Sequence, residues 1–348
     1  MKHLLALGAT FGLAAAAVVA QSPDTPPWRS FGSAPGWEVP RTPDGHPDLQ
    51  GVWGNNHVTP ITRPRQWKDK QSLTEVELQE LKGLFAQYVD QGGDAIFTSV
   101  VQMVLDAKEK GEIKQISYDP TTGNYEEYWM SGREFDTRTS LVVDPPDGQI
   151  PALTPEAQAQ RKQTFAAGFG SSREDGPEDY PLSERCISYG APYQGAGYNA
   201  YFQIVQSPEA VVLLQEMIHD ARTVPMDGRP HLPASVRQLH GDSRGHWEGD
   251  TLVVETTNYI NGFRGSTPNV RLTERYTRAS EDFINWEITV DDPATWEQSW
   301  TLMVRLKRAS GQLYEYACHE GNYSMAGMLA GARRAEQKAA EAAAKSAR

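Results

Sequence analysis

From Tyr201 onward, apolar and polar residues alternate over short segments that are separated by turn residues. Alternation with a period of two is typical of β-strands that bury one face. The segments with this pattern are Tyr201–Gln206, Ala210–Met217, His219–Val224, Thr251–Tyr259, Arg271–Arg278, Phe283–Val290, Ser299–Lys307 and Leu313–Cys318. No helical pattern of crossover length interrupts them, so parallel strands are disfavoured. We therefore predict a mainly β protein whose core, residues 196–323, is an antiparallel calycin-like barrel of about eight strands.

Residues 71–195 are predicted to form a helical and mixed segment that packs on this barrel. Apolar residues recur at helical spacing over residues 73–111, with a capping-box pattern at Thr74 and a break at Gly92-Gly93. Another helix is expected to begin at Thr154-Pro155, because proline suits the first helical position. Two strand-like pieces lie between these helices, namely Tyr125–Met130 and Thr137–Val143.

The two ends of the chain carry patterns of their own. A basic start at Lys2 precedes an apolar run over Leu4–Val19, small residues and then a polar residue. This order is typical of a secretory signal peptide, which we assign to residues 1–20. Residues 21–70 are rich in proline and are predicted to wrap the barrel without long helices. Residues 324–348 are rich in alanine and are predicted to form a C-terminal helix.

Charge and hydropathy limit the partners of the protein. The chain of 348 residues has a formal net charge of −12, so nucleic acid would be repelled and is excluded as a partner. The N-terminal apolar run is too short for the ~20 residues that a membrane helix needs, and no other run approaches that length. We therefore expect no membrane span after signal cleavage and a location in the periplasm or outside the cell. The expected partner is a small-molecule substrate or ligand.

The chain contains two cysteines, Cys186 and Cys318. Disulfides persist in exported proteins, and two thiols allow a single intramolecular pairing. We therefore predict a Cys186–Cys318 disulfide. The rival interpretation is a reactive thiol at Cys318, because His319 follows it and a Cys/His pair can act as a nucleophile.

The densest group of polar residues lies over residues 240–250, where two histidines, three carboxylates and an arginine occur together. Three interpretations stay open. Histidine and carboxylate side chains can bind a metal ion, although the spacing matches no zinc motif. The glycine and aspartate residues can instead form only the turns of a hairpin. Alternatively, Asp242 or His246 can act in acid–base catalysis. We assign no metal ligand.

Two further patterns supply candidates for a site. Arginines near His219 and His231 can clamp a carboxylate or sulfate. Glutamates occur within strands that are otherwise β-branched, which indicates either a solvated face or a polar cavity. The predicted catalytic residues are His219, Asp242, His246, Glu255 and His319, and the predicted substrate-binding residues are Arg222, His231, Arg244 and Glu287.

Three segments resemble those of a widespread group of exported bacterial proteins whose function is uncharacterised. The segments are Thr42–Trp53 with the sequence TPDGHPDLQGVW, Asp242–Thr256 with DSRGHWEGDTLVVET, and Tyr314–Asn322 with YEYACHEGN. The resemblance implies export and one extended domain. It implies no activity, cofactor or catalytic residue.

Together, these patterns predict an exported enzyme that acts on a small organic or carbohydrate-like substrate by hydrolysis or elimination. Histidine would be the general base, aspartate or glutamate the general acid, and arginine the anion clamp. One alternative is a non-catalytic, calycin-like ligand-binding protein of the periplasm with an apolar lumen. Another is an envelope scaffold that docks through its C-terminal helix. Motifs for serine hydrolases, phosphate loops and dinucleotides are absent, and the sequence identifies no cofactor.

Overall fold

A computed structural model describes residues 26–33, 35–89, 100–111, 132–166 and 175–346. The predicted signal peptide, the break at Gly92-Gly93 and the predicted strand Tyr125–Met130 lie outside these residues. The fold is mainly β, as predicted, and nine of the ten described strands form a nearly closed antiparallel barrel, whereas the second strand in the chain only pairs with the tenth. The strands are β1 (Gly51–Gly54), β2 (Val142–Asp144), β3 (Tyr201–Gln206), β4 (Ala210–Gln215), β5 (Ala221–Pro225), β6 (Asp242–Glu248), β7 (Thr251–Thr257), β8 (Arg271–Arg278), β9 (Phe283–Asp291) and β10 (Trp300–Arg308).

The number of strands determines how the barrel closes. Its strand order is β5-β4-β3-β1-β10-β9-β8-β7-β6, and every neighbouring pair is antiparallel. Because nine is an odd number, the first and last strands, β5 and β6, run in the same direction. In the described chain no ladder of hydrogen bonds joins these two strands. We call this junction the seam.

Side chains close the seam, and a glycine lets the two strands approach. A Cβ atom added to Gly245 of β6 would lie 2.8 Å from Cγ1 of Val224 in β5 and would also collide with Sδ of Met226. Val224 is fully buried, so it has little freedom to move away. The seam therefore has no space for a side chain at position 245.

Seven of the eight predicted strands are present at or near the predicted positions. The eighth, Leu313–Cys318, is wrong, because β10 already has β9 on one edge and β1 and β2 on the other. The predicted strand Thr137–Val143 is confirmed only at its end, where β2 begins. Two strands were missed. Prolines surround β1, and the glycine, aspartate and serine residues of β6 are typical of turns.

The helices precede β2, lie between β2 and β3, or follow β10 in the chain. Those of the described chain are α1 (Glu75–Tyr88), α2 (Val101–Lys110), α3 (Pro155–Ala166) and α4 (Tyr323–Ser346), together with short 3₁₀ turns. The predicted capping box is confirmed, because Thr74 accepts a hydrogen bond from the amide of Glu77 and the Glu77 carboxylate accepts one from the amide of Thr74. The predicted C-terminal helix is also confirmed. Within the described ranges, no helix is long and apolar enough to cross a membrane.

The predicted disulfide between Cys186 and Cys318 is present. It joins the loop that precedes β3 to the segment that follows β10. Since both sulfur atoms are bonded, Cys318 is not a reactive thiol and the Cys/His nucleophile is excluded. A bridge that closes a loop of more than 130 residues strongly restricts the unfolded chain.

The interior of the barrel is filled by apolar side chains. Trp53, Trp286 and Trp300 are each at most 1% exposed, and the ring of Tyr276 stacks on Trp286 at a centroid distance of 5.6 Å. A small cavity with a volume of about 10 Å³ remains beside Phe202. This is room for about one water molecule.

The polar faces of the strands point outwards, which the sequence left open. Trp286 and Val254 belong to the inner core, so their strand neighbours Glu287 and Glu255 lie on the outer face. Over β9 the N-terminal segment covers this face. Nε of Arg29 lies 3.2 Å from Oε2 of Glu287, and Glu287 is therefore buried even though it points away from the interior.

His57 is buried between the barrel and the helices. Neither of its ring nitrogens has a hydrogen-bond partner among the described residues. Burial lowers the pKa of His57 to about 4, with a further decrease from the charge of Arg138 and a partial opposing effect of Asp136. His57 is therefore neutral in the folded protein at neutral pH.

We expect this histidine to make the protein sensitive to acid. The unfolded chain binds a proton at His57 below its ordinary pKa of 6.5, whereas the folded chain does so only near pH 4. Stability should therefore fall as the pH decreases through this window, by up to about 1.4 kcal/mol per pH unit. Urea titrations measure the free energy of unfolding of the wild type and of His57→Leu. The value for the wild type minus the value for His57→Leu should decrease by about 3 kcal/mol between about pH 7 and pH 4. An unchanged difference would contradict this assignment.

Candidate functional site

Two aspartates mark the end of the seam at which β5 and β6 begin. Asp220 directly precedes β5, and Asp242 is the first residue of β6. The loop of residues 226–241 returns the chain from the end of β5 to the start of β6, as parallel neighbours require. Each aspartate contacts one histidine of this loop. We call this group the seam site, and its members are Ser188, Asp220, His231, His240, Asp242, Arg244 and Glu255.

Asp242 accepts hydrogen bonds on both of its carboxylate oxygens. Oδ2 lies 2.9 Å from Nδ1 of His231 and 2.9 Å from the amide of Leu232. Oδ1 lies 2.6 Å from Nη1 of Arg244. Burial alone would raise the pKa of Asp242, but these three partners outweigh it and lower the pKa. These contacts favour an ionised Asp242 that orients His231. They do not favour the role of general acid that the sequence suggests for an aspartate at this site.

His231 has the orientation of a general base. An ionised carboxylate only accepts hydrogen bonds, so the Nδ1 atom that faces Asp242 carries the proton. The other ring nitrogen, Nε2, then has a free lone pair. The side chain of His231 is 29% exposed, so a small molecule can reach it from solvent. A carboxylate that fixes the tautomer in this way is the arrangement used to orient catalytic histidines.

Arg244 and Glu255 lie next to each other on the outer face of the barrel. They are direct cross-strand partners in the β6–β7 ladder, which places their Cβ atoms about 5 Å apart. Arg244 uses its Nε and Nη1 groups to bind Pro230, Ser243 and Asp242. Two of the five guanidinium N–H donors remain for a ligand. The carboxylate of Glu255 makes no hydrogen bond or ion pair with the residues that the structure describes.

The second aspartate, Asp220, contacts His240 in a more enclosed setting. Oδ1 of Asp220 lies 3.2 Å from Nε2 of His240. Oδ2 accepts hydrogen bonds from Oγ of Ser188 at 2.8 Å, from Nε2 of Gln215 at 3.2 Å and from the amide of Tyr189 at 3.2 Å. The carboxylate therefore ties together the start of β5, the end of β4 and the loop that precedes β3.

Ser188, Asp220 and His240 are the residue types of a hydrolase triad, but their geometry differs from one. The same atom, Nε2 of His240, faces both Asp220 and Oγ of Ser188, the latter at 3.0 Å. A triad histidine instead uses its two nitrogens for the two partners. Ser188 is also buried, and its hydroxyl accepts a hydrogen bond from the amide of Gly190. We therefore assign Ser188 a structural role.

Gly241 brings both histidine–aspartate pairs to the same end of the barrel. Its φ angle is +71°, and an added Cβ atom would lie 2.6 Å from Cγ2 of Thr256 and 2.7 Å from the carbonyl oxygen of Thr257. Only glycine fits a position with both a left-handed backbone and a contact this close to β7. This residue separates His240 from Asp242, so it determines how near the two pairs approach.

The structure brings together four residues that the sequence predicts for the site, namely His231, Asp242, Arg244 and Glu255. It does not bring the other five to this place. His246 is exposed and faces Glu248 at 3.2 Å. Glu287 lies under the N-terminal segment, and the side chains of His219 and His319 are exposed to solvent. Arg222 lies inside the barrel.

Three members of the seam site were not predicted from the sequence. Asp220 and His240 both lie within the polar clusters that supplied candidates, but nothing in the spacing indicates that they meet. Ser188 carries no recognisable signal, because a single serine in a loop is common. The useful sign is the position of each aspartate at the start of a strand, which becomes meaningful only when the two strands are known to be neighbours.

No group of three or more histidine, cysteine, aspartate or glutamate residues that could hold a metal ion is found in the described chain. Comparison of the chain with models of known families, with curated proteins and with solved structures finds no match. The function is therefore inferred from the residues of the site alone.

Arg222 forms a buried ion pair with Glu274 instead of binding ligand from solvent. Nη1 and Nη2 of Arg222 lie 2.5 and 2.8 Å from the two carboxylate oxygens. Tyr276 and Trp286 each donate a further hydrogen bond to Glu274. Burial opposes the charge of Arg222, but Glu274 outweighs it and raises the pKa of the guanidinium. Both charges are thus fully partnered inside the barrel.

Removing one member of this pair should destabilise the protein more than removing both. Glu274→Gln leaves the charge of Arg222 buried without a counter-ion, which should cost about 3–5 kcal/mol. The double variant Arg222→Met with Glu274→Leu removes both charges. It should therefore be more stable than Glu274→Gln and recover much of the stability that Glu274→Gln loses. Urea unfolding of the two variants measures the difference. A double variant that is less stable than Glu274→Gln would show that the charges are not coupled as described.

Proposed function

We propose that the protein is an exported enzyme that acts on a small organic or carbohydrate-like substrate by hydrolysis or elimination. The observation that carries this proposal is the His231–Asp242 pair, which lies beside Arg244 and the unpartnered carboxylate of Glu255. In this arrangement His231 is the general base, Glu255 the general acid and Arg244 the anion clamp. Asp242 orients the base. The disulfide supports export to the periplasm or the medium, where such bonds persist.

In an elimination, each residue has a defined task. Two N–H donors of Arg244 bind a carboxylate of the substrate. Nε2 of His231 removes a proton from the carbon next to that carboxylate, and the electron pair forms a carbon–carbon double bond. The bond to the leaving oxygen breaks, and the carboxyl group of Glu255 supplies the proton which that oxygen gains. In a hydrolysis, His231 would instead remove a proton from the attacking water.

A calycin-like ligand carrier is the alternative, and one observation favours it. Glu255 and Glu287 point outwards, and apolar side chains fill most of the interior apart from the Arg222–Glu274 pair. The interior, however, has room for about one water molecule. A carrier would therefore have to open its barrel before a ligand could enter, whereas the seam site is already accessible from solvent.

The proposal can be tested with substrates that represent the two reactions. Polygalacturonate reports elimination through the ultraviolet absorbance of its unsaturated products, and 4-nitrophenyl acetate and 4-nitrophenyl β-glucoside report hydrolysis. We expect the wild type to turn over at least one of them. His231→Asn should then lower kcat by about 10²–10⁴-fold, because it removes the general base. Asp242→Asn should also lower kcat, because it no longer orients the ring.

Asp227→Asn is the matched control for this experiment. Asp227 lies on the same loop and forms an exposed ion pair with Arg229, so its loss should leave kcat unchanged. Circular dichroism of all variants checks that they remain folded. The proposal is wrong if the wild type turns over none of these substrates, or if folded His231→Asn retains full activity.

A further inference from the structure

A second concave site lies beside the disulfide, at the end of the barrel where β3 and β5 begin. Its volume is about 470 Å³, which is within the range of roughly 300–1,000 Å³ for small-molecule pockets. The lining residues come from three parts of the chain and include Cys186, Tyr189, Tyr198, Ile218, Tyr316 and Cys318. We call it the tyrosine cavity.

Three tyrosine rings form the walls of this cavity. The rings of Tyr198 and Tyr316 are nearly perpendicular, at an interplanar angle of 89° and a centroid distance of 6.3 Å. Tyr189 is 53% exposed and packs edge-on against Tyr193. The exposed parts of these rings are apolar surface, so covering them with a ligand is favourable.

The polar groups of the cavity indicate the class of ligand. Serine and tyrosine hydroxyls, the N–H of Asn322 that does not bind Glu184 and the carboxylate of Glu184 can each form hydrogen bonds with a ligand hydroxyl. The lining contains no lysine or arginine, so a phosphate or sulfate would find no cation. A sugar ring combines hydroxyls at its rim with apolar C–H faces, and these faces stack on aromatic rings. Hydroxyls and tyrosines together therefore match a neutral carbohydrate.

The backbone around the cavity is held in an unfavourable conformation. Cys186 and Ile218 both line it, and their φ angles are +53° and +52°. Such values are rare for residues with a side chain, and most of all for a β-branched one. Strain of this kind is concentrated at binding and catalytic sites, where the surrounding structure maintains it.

The disulfide holds the two halves of the cavity together. Residues 183–189 and 316–324 are far apart in the chain, and the Cys186–Cys318 bond connects them directly. A hydrogen bond from Nδ2 of Asn322 to the carbonyl oxygen of Glu184, at 2.8 Å, is a second link. Reduction would therefore remove the covalent link between the two walls of the cavity.

We propose that the tyrosine cavity binds a neutral pyranose sugar and that the disulfide is required for this binding. The site is distinct from the seam site and goes beyond the proposed enzymatic function. A bound sugar would lie at the same end of the barrel as the seam site, since Ser188 lies between Cys186 and Tyr189 in the chain. Binding itself requires none of the residues assigned to catalysis.

Saturation-transfer NMR with the full mature protein tests this site without measuring activity. The probes are methyl β-D-glucopyranoside, methyl β-D-galactopyranoside, methyl α-D-mannopyranoside and cellobiose, with choline as a cationic probe. We expect at least one sugar to bind, and Tyr316→Ala to weaken its binding by about tenfold or more. Tyr316→Phe keeps the ring and should retain most of the affinity. Tyr323→Ala is the matched control, because Tyr323 is 84% exposed and does not line the cavity.

Two further variants separate this proposal from others. His231→Asn should bind the sugar as the wild type does, so loss of catalysis and loss of sugar binding are distinguishable. The double variant Cys186→Ser with Cys318→Ser should lose binding while its circular dichroism remains native. If that variant does not fold, the tyrosine variants alone decide the result. Binding of choline without any sugar, binding of none of the probes, or sugar binding that Tyr316→Ala leaves unchanged would overturn the proposal.

Discussion

The odd number of strands is the constraint on which the rest of this structure depends. In a ring of alternating antiparallel strands, an odd count leaves one neighbouring pair parallel, and here that pair is β5 and β6. A parallel pair cannot be joined by a tight hairpin and needs a longer connection. The loop of residues 226–241 provides it, and this loop carries His231 and His240 to the starts of both strands. The candidate site is thus a consequence of how the barrel closes.

Much of the barrel could be predicted from the sequence, because most strands bury one face and expose the other. The segment from Phe283 to Val290 shows this clearly, with tryptophan and isoleucine at every second position. The alternating pattern is absent from a strand whose residues are required for other reasons, such as close packing. Gly245 in β6 is required for close packing at the seam, and Asp242, Ser243 and Gly245 are residue types that favour turns. A period of two indicates a strand but not its partner, so strand order and the seam could not be predicted.

The candidate site could be predicted in part, for a similar reason. The polar cluster at residues 240–250 indicated Asp242 and Arg244, since so many titratable groups in one short segment are unusual. Arg222 was misleading, because an arginine in a strand gives no sign of whether it points inwards. Its partner Glu274 belongs to β8, three places away from β5 across the seam. Contacts between residues that are distant in sequence depend on how the barrel closes. A local sequence pattern does not indicate them.

The filled interior explains why both proposed sites lie outside it. Three tryptophans and an enclosed Arg222–Glu274 pair occupy the space that a ligand would need. Admitting a ligand would expose apolar surface and separate two buried charges, each of which is unfavourable. Binding a ligand at the ends of the strands does not have this free-energy cost. The loops there are held by the disulfide and by the hydrogen bonds of the aspartates instead of by core packing. Polar groups can therefore be held in fixed positions there while they remain open to solvent, as binding and catalysis require.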